Sequence, residues 1–110
     1  MISETIAKIE ERLKGTASLT PEQRADLLRL LATLKSEVGT LSEDESERAQ
    51  SIAGFTAVST HEAMRERKNP ELVDLSLKGL AQSVHGFEDS HPKLVQVVNS
   101  ICTTLSNLGI

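Results

Sequence analysis

The side chains best suited to chemistry are three histidines and one cysteine. His61 and Glu62 begin like the zinc-protease motif His-Glu-x-x-His, but Arg65 stands where the second histidine ligand would have to be. One metal ligand is therefore absent, and Glu62 has no metal-bound water to activate. Cys102 lies beside an apolar seam with no cation four residues away, so its thiolate is not favoured and we expect a small buried hydrophobic residue.

His91, which is followed by Pro92, is the strongest candidate for a special site. A histidine ring at a helix start could bind an anion or transfer a proton. The simpler interpretation is a structural turn, in which His91 caps the helix or bonds a neighbouring loop and Pro92 enforces the turn. His85 shows no metal-ligand spacing to His91. We therefore predict no catalytic residue, no metal site and no cofactor, and we expect that the protein is not an enzyme.

The cluster Arg65-Glu66-Arg67-Lys68 is the one motif that could contact phosphate. It is short, Glu66 interrupts it, and the negative end of a helix already accounts for basic residues there. A net charge of −4 and an aromatic content of only two phenylalanines also argue against a nucleic-acid or anionic-membrane binder. A small nucleic-acid-associated regulator that uses Arg65 to Lys68 is our second hypothesis.

Apolar residues recur at helical spacing throughout the chain, and no segment alternates as a strand would. The pattern predicts an all-α protein, an antiparallel bundle in one domain, residues 1–110. Five amphipathic helices with coiled-coil-like seams are expected at residues 3–14, 21–39, 43–68, 70–88 and 92–108. Capping boxes, Thr20 with Gln23 and Ser42 with Glu45, open the second and third helices.

The second, fourth and fifth helices carry apolar seams with a mean spacing near 3.5 residues, which is typical of helices packed at shallow angles. The third helix has an inward face of mostly small residues, which permits close helix approach but buries little area. We predict that the centre of the core consists of Leu31, Leu34, Leu80, Val84, Val98, Ile101 and Leu105.

Four apolar residues lie away from the main seams: Phe55, Val58, Leu72 and Leu75. Either they close the bundle internally, or they form part of a subunit or partner surface. Because five helices with one Ala-rich and Thr-rich face give a thin core, we expect a homodimer, with another protein as the alternative partner. A protein-interaction or oligomerisation module is our leading hypothesis.

The lone cysteine excludes an intramolecular disulfide, and a reducing compartment is the simplest environment for it. The chain shows neither a secretory signal nor a run of about 18 apolar residues that could span a membrane. We therefore expect a mature, soluble, cytoplasmic protein that does not bind membranes.

Three segments carry a family resemblance: Phe87 to Leu94 (FEDSHPKL), Leu105 to Ile110 (LSNLGI) and Leu19 to Leu27 (LTPEQRADL). They are similar to segments of a family of small bacterial proteins known as domain of unknown function 4404. Residues 42–68 look longer than the corresponding region of that family. The resemblance implies a compact helical protein whose family has no assigned reaction, and it implies that His91 and Pro92 carry the family's His-Pro position.

Overall fold

The computed structural model describes residues 2–109, and within this range the chain forms five α-helices and no β-strand. The helices are α1 (Ile2–Gly15), α2 (Pro21–Val38), α3 (Ser46–Ala63), α4 (Pro70–Ser83) and α5 (Pro92–Gly109). A short 3-10 turn, Glu43–Glu45, precedes α3. The prediction of an all-α helical bundle is confirmed.

Local capping explains where α2 and α4 begin. Thr20 Oγ1 accepts a hydrogen bond from the backbone N–H of Gln23 at 3.1 Å, and Gln23 Oε1 accepts one from the N–H of Thr20 at 2.9 Å. Asn69 Oδ1 accepts from two N–H groups of the first turn of α4, and Pro70 fills the first helical position. The first N–H groups of a helix have no carbonyl partner within the helix. Here the side-chain oxygens of Thr20 and Asn69 accept hydrogen bonds from some of them.

The third helix is shorter than the predicted range 43–68. Residues 43–45 adopt a 3-10 turn, and α3 ends at Ala63, where the N–H of Met64 is shared between the carbonyls of Thr60 and His61. Pro70 disfavours helical geometry at Asn69, whose backbone is extended (φ −112°, ψ 102°). Residues 64–69 are therefore the connection that turns the chain from α3 into α4.

The fourth helix also ends before the predicted residue 88. It stops at Ser83, and Gly86 adopts φ 98°, a left-handed conformation that favours glycine. Phe87, which the predicted range 70–88 places on this helix, therefore reaches the core from a turn, and it is only 2% exposed.

The helices pack in the ring order α1, α2, α5, α4, α3 and back to α1, with a further contact between α3 and α5. The buried apolar side chains form one cluster inside this ring. All seven residues predicted for the centre of the core are buried: Leu31, Leu34, Leu80, Val84, Val98, Ile101 and Leu105. The radius of gyration, 13.0 Å, is that expected for a well-packed chain of about 100 residues.

Candidate functional site

The α3 and α4 helices form the most extensive helix contact in the bundle. These two helices bury small polar residues, among them Thr56, Ser59 and Ser76. Their hydroxyls donate to carbonyls of their own helix: Thr56 to Ile52 O at 2.7 Å, Ser59 to Phe55 O at 2.7 Å and Ser76 to Val73 O at 2.9 Å. These buried hydroxyls are therefore satisfied within each helix.

Phe55 lies across this contact, with its ring over Gly79 of α4. A Cβ atom added at Gly79 would come within 2.3 Å of Phe55 Cε1 and 2.5 Å of Cδ1. A glycine is therefore needed at this point of α4 if the ring is to lie flat on the helix backbone. Phe55 as a whole remains 41% exposed.

The Phe55 contact also fixes how α3 and α4 are aligned. Phe55 lies eight residues before the end of α3, and Gly79 lies nine residues after the start of α4. Both are thus about 12 to 14 Å from the connection, as expected for an antiparallel helical hairpin. By the same spacing, Val58 lies opposite the turn of α4 that contains Leu75, and Leu72 lies opposite the end of α3.

This alignment brings the four off-seam apolar residues into one band on the outside of the hairpin. They are exposed to these extents: Phe55 41%, Val58 50%, Leu72 39% and Leu75 65%. We call these four residues the α3/α4 strip. They do not close the bundle internally, because each keeps more than a third of its surface in water.

Charged residues border the strip. Lys78 contacts Asp74 at 3.0 Å on α4, and Arg65 contacts Glu62 at 2.8 Å at the end of α3. Glu71 is exposed in the first turn of α4. The strip is therefore an apolar centre with a polar rim, the composition typical of a protein interface.

His91 lies in the turn between α4 and α5. Its backbone N–H donates to Phe87 O at 2.8 Å, and its carbonyl accepts from Val95 at 3.3 Å. Its ring contacts Ser90 Oγ through Nδ1 at 3.0 Å and meets the Phe87 ring edge-on at 5.2 Å. Together with Pro92 at the first position of α5, these contacts hold the turn and bury the Phe87 ring.

Arg48 also contributes to this turn, although no pattern in the sequence indicates it. Its guanidinium carbon lies 3.9 Å from the centre of the Phe87 ring, and its Nη2 donates to the carbonyl of His85. The cation–π contact and the hydrogen bond together connect α3 to the turn. No spacing rule could find the pair, because 39 residues separate Arg48 from Phe87.

Glu88 belongs to the same turn. Hydrogen bonds from its own backbone N–H and from that of Gly86, which lies 2.7 Å from Glu88 Oε1, hold the pKa of Glu88 below its usual value. His85 Nδ1 lies 3.6 Å from the other carboxylate oxygen. Glu88 therefore supports the backbone at Gly86.

The basic cluster lies in the connection after α3 and not in the last turn of the helix, where the sequence pattern places it. Arg65 is paired with Glu62, and Lys68 Nζ donates to the carbonyl of Leu108 at 2.6 Å. Arg67 is exposed. Two of its three cations therefore make contacts within the chain.

A groove of about 400 Å³ lies between the ends of α1 and α3 and is lined by Arg12, His61 and Arg65 among others. Its two guanidinium charges are offset by the carboxylate of Glu62 and by the partial negative charges at the ends of both helices, about half a charge each. The groove is therefore close to neutral and is a weak candidate for binding an anion.

Cys102 is partly buried, and its Sγ lies 3.8 Å from the carbonyl of Leu77. Burial raises the pKa of the Cys102 thiol, which opposes the nucleophilic thiolate form.

Within residues 2–109, no group of three or more His, Cys, Asp or Glu side chains could hold a metal ion. No helix in the described part of the chain is both long and apolar enough to cross a membrane.

The comparison with protein families identifies one match. The family model described as Domain of unknown function (DUF4404) matches residues 27–110. The chain belongs to the DUF4404 family. No curated protein and no solved structure matches this family member.

The DUF4404 match confirms the resemblance and refines its extent. It covers most of α2 and everything that follows, so the α3/α4 strip and the turn at His91 both lie within it. It begins at Leu27, so the stretch from Leu19 to Asp26, which seemed similar to the first half of the family, lies outside it. The ending of the match includes Ile110, which lies outside the residues that the structure describes.

Proposed function

We propose that this DUF4404 protein is a non-enzymatic interaction module that forms a homodimer through the α3/α4 strip. The proposal is supported by where the exposed apolar side chains lie. Within residues 2–109, all four exposed large apolar side chains belong to the α3/α4 strip. Scattered exposed apolar residues are ordinary, whereas a band of them with a polar rim is typical of a contact surface. A symmetric dimer covers the strip of both copies at once.

The size of the face indicates a weak dimer. An α4 of 14 residues is about 21 Å long, and two packed helices are about 20 Å wide, so each copy offers roughly 400 Å². This is about half the area per partner of a standard stable interface. We therefore expect a dissociation constant in the high micromolar range, about 100 μM, and a dimer that exchanges readily.

The proposed cellular setting is a reducing cytoplasm, which the single cysteine supports. Nucleic-acid binding through Arg65 to Lys68 is the weaker alternative, because Arg65 and Lys68 are already engaged by Glu62 and Leu108. It predicts salt-sensitive binding to generic DNA or RNA that is lost when Arg65, Arg67 and Lys68 are replaced by alanine. No binding at about 50 mM salt would exclude that alternative.

Light scattering coupled to size exclusion tests the proposal, with protein loaded from about 10 μM to about 1 mM so that a micromolar dimer is seen on both sides of its transition. The mass should rise from 12.0 kDa toward twice that value. Refractive index must be the detector, because the chain contains no Trp or Tyr. A monomer at every concentration would contradict the proposal.

Leu75→Lys is the decisive variant, since it places a charge at the most exposed point of the strip. Ala81→Lys is its matched control: Ala81 is exposed on the same helix but about 120° around it from Leu75. We expect Leu75→Lys to remain monomeric at concentrations where the wild type and Ala81→Lys dimerise. Equal dimerisation of both variants would move the interface away from the strip.

A further inference from the structure

We infer that the partner on the α3/α4 strip is a second copy of this chain with its α4 antiparallel, related by a two-fold axis next to Leu75. The inference rests on the proposed function and specifies its geometry. It depends on how charged and apolar residues are distributed around Leu75, which at 65% exposed is the outermost apolar side chain of α4.

The charged side of α4 is complementary to itself. Glu71 precedes Leu75 by four residues and Lys78 follows it by three, and both lie about 40° to 60° around the helix on the same side of Leu75. Along the axis they are about 6 Å before and about 4.5 Å after Leu75. A two-fold axis at Leu75 therefore brings Glu71 of each copy opposite Lys78 of the other.

The other side of α4 is complementary through apolar contact. Leu72 and Gly79 lie about 40° to 60° from Leu75 in the opposite direction, and the ring of Phe55 covers Gly79. The same two-fold axis brings Leu72 of each copy toward the Phe55 ring of the other. One symmetry operation thus pairs opposite charges on one side and apolar groups on the other.

A parallel arrangement lacks this match. It would set the charged side of each α4, with Glu71 and Lys78, against the apolar side of the other, with Leu72, so neither charge would face an opposite charge. Asp74 already lies 3.0 Å from Lys78 within the helix, so Lys78 is held on this side of α4. The charges therefore select the antiparallel dimer over the parallel one.

Charge reversal tests the arrangement. Lys78→Glu and Glu71→Lys should each raise the dimer dissociation constant about tenfold at about 50 mM salt, because two attractive pairs become two repulsive ones. The double variant, Glu71→Lys with Lys78→Glu, should return to within about threefold of the wild type, since the same pairs form with reversed signs. Sedimentation with interference optics measures all four proteins.

Mixing the two single variants gives a second readout. One copy then carries Glu at both positions and the other carries Lys at both, so the heterodimer should be preferred over either homodimer. Arg29→Glu is the matched control for Lys78→Glu: Arg29 is exposed, lies 3.4 Å from Asp26 on its own helix, and its reversal gives the same net charge. Arg29→Glu should dimerise as the wild type does.

The outcomes separate the two proposals. A wild type that dimerises but is insensitive to both single reversals overturns the antiparallel arrangement and leaves the dimer of the proposed function standing. Weakening by Arg29→Glu equal to that by Lys78→Glu also overturns it, because net charge alone would then explain the effect. A wild type that stays monomeric up to about 1 mM overturns both.

Discussion

The α2–α5 pair and the α3–α4 hairpin show two ways in which one short chain builds helix contacts. Where α2 meets α5, the buried residues are Leu, Ile and Val from regularly spaced seams. The α3 and α4 helices bury small Thr and Ser residues beside large ones such as Ile52 and Leu80, and four further large apolar side chains remain outside. Both pairs contribute apolar burial to the core, but the second also leaves an apolar surface.

Volume explains this difference. Small buried residues fill little space between helices, so α3 and α4 lie close together and a large ring such as Phe55 finds room only across the outside of the contact, over Gly79. A Leu-rich pair encloses its large side chains between the helices. We therefore expect substitutions in the two regions to differ in size and in what they affect.

The largest losses of stability should follow truncation of a fully buried core side chain, for example Ile101→Ala in α5, where the side chain is 0% exposed. Removing the buried methylene and methyl groups leaves a cavity and should lower the free energy of unfolding by about 2 to 5 kcal/mol. Urea denaturation followed by circular dichroism at low micromolar protein measures folding apart from dimerisation. A loss below about 0.5 kcal/mol would show that this face of α5 is not the core face.

A double-mutant cycle between Phe55 and Gly79 should give the next largest effect. In the Phe55→Ala background, Gly79→Ala should raise the free energy of unfolding by about 0.5 to 1 kcal/mol, because alanine is the better helix former. In the wild type the new Cβ meets the ring at 2.3 Å and the gain should vanish or reverse. Coupling below about 0.3 kcal/mol would mean that the ring does not rest on Gly79.

The sequence predicted the α2–α5 region well because the features that define this region, regular apolar spacing and a capping box, are local in the sequence. Leu31, Leu34, Val98 and Ile101 lie on seams whose spacing alone orients them, and the Thr20 capping box marks the start of α2. The predicted and observed bounds of α2 and α5 differ by one residue at most.

The α3–α4 region was harder because its decisive features join distant residues. Gly86 could be read as an interior helix residue until its positive φ was known, and so Phe87 was assigned to the wrong element. Two further contacts, Arg48 with Phe87 and Phe55 with Gly79, depend on how the helices are positioned relative to each other. The spacing of residues along the chain does not specify that position. Off-seam spacing singled out the four strip residues, but it left open whether a second helix of the same chain covers them.

A smaller effect on stability is expected from Leu75→Ala than from Leu80→Ala, although both remove the same atoms from α4. Leu80 is fully buried, so Leu80→Ala should lower the free energy of unfolding by about 2 to 5 kcal/mol. Leu75 is 65% exposed, so Leu75→Ala should lower the free energy of unfolding of the monomer by less than about 0.5 kcal/mol. The same Leu75→Ala change should weaken the dimer. Denaturation at low protein concentration, together with light scattering at high concentration, separates the two roles.

The smallest expected effect concerns the two helix starts and depends on pH. Hydrogen bonds from Ser42, the backbone N–H at 2.9 Å and the hydroxyl at 3.1 Å, hold the pKa of Glu45 below its usual value. A lowered native pKa means that this contribution to stability is complete above the usual glutamate range and is lost as pH falls through the lowered value. The box formed by Thr20 and Gln23 has no such titration, because an amide replaces the carboxylate.

Nuclear magnetic resonance measures this difference directly. The Ser42 amide signal should follow the titration of Glu45 with a midpoint below that of an exposed glutamate, while the Thr20 amide should not show it. Glu45→Gln is the control, since glutamine can still accept from the Ser42 N–H and should remove the titration while keeping the capping contact. A Ser42 signal that titrates at the ordinary glutamate value would mean that the carboxylate is not held by Ser42. The start of the α3–α4 hairpin would then be no more sensitive to acid than the start of α2.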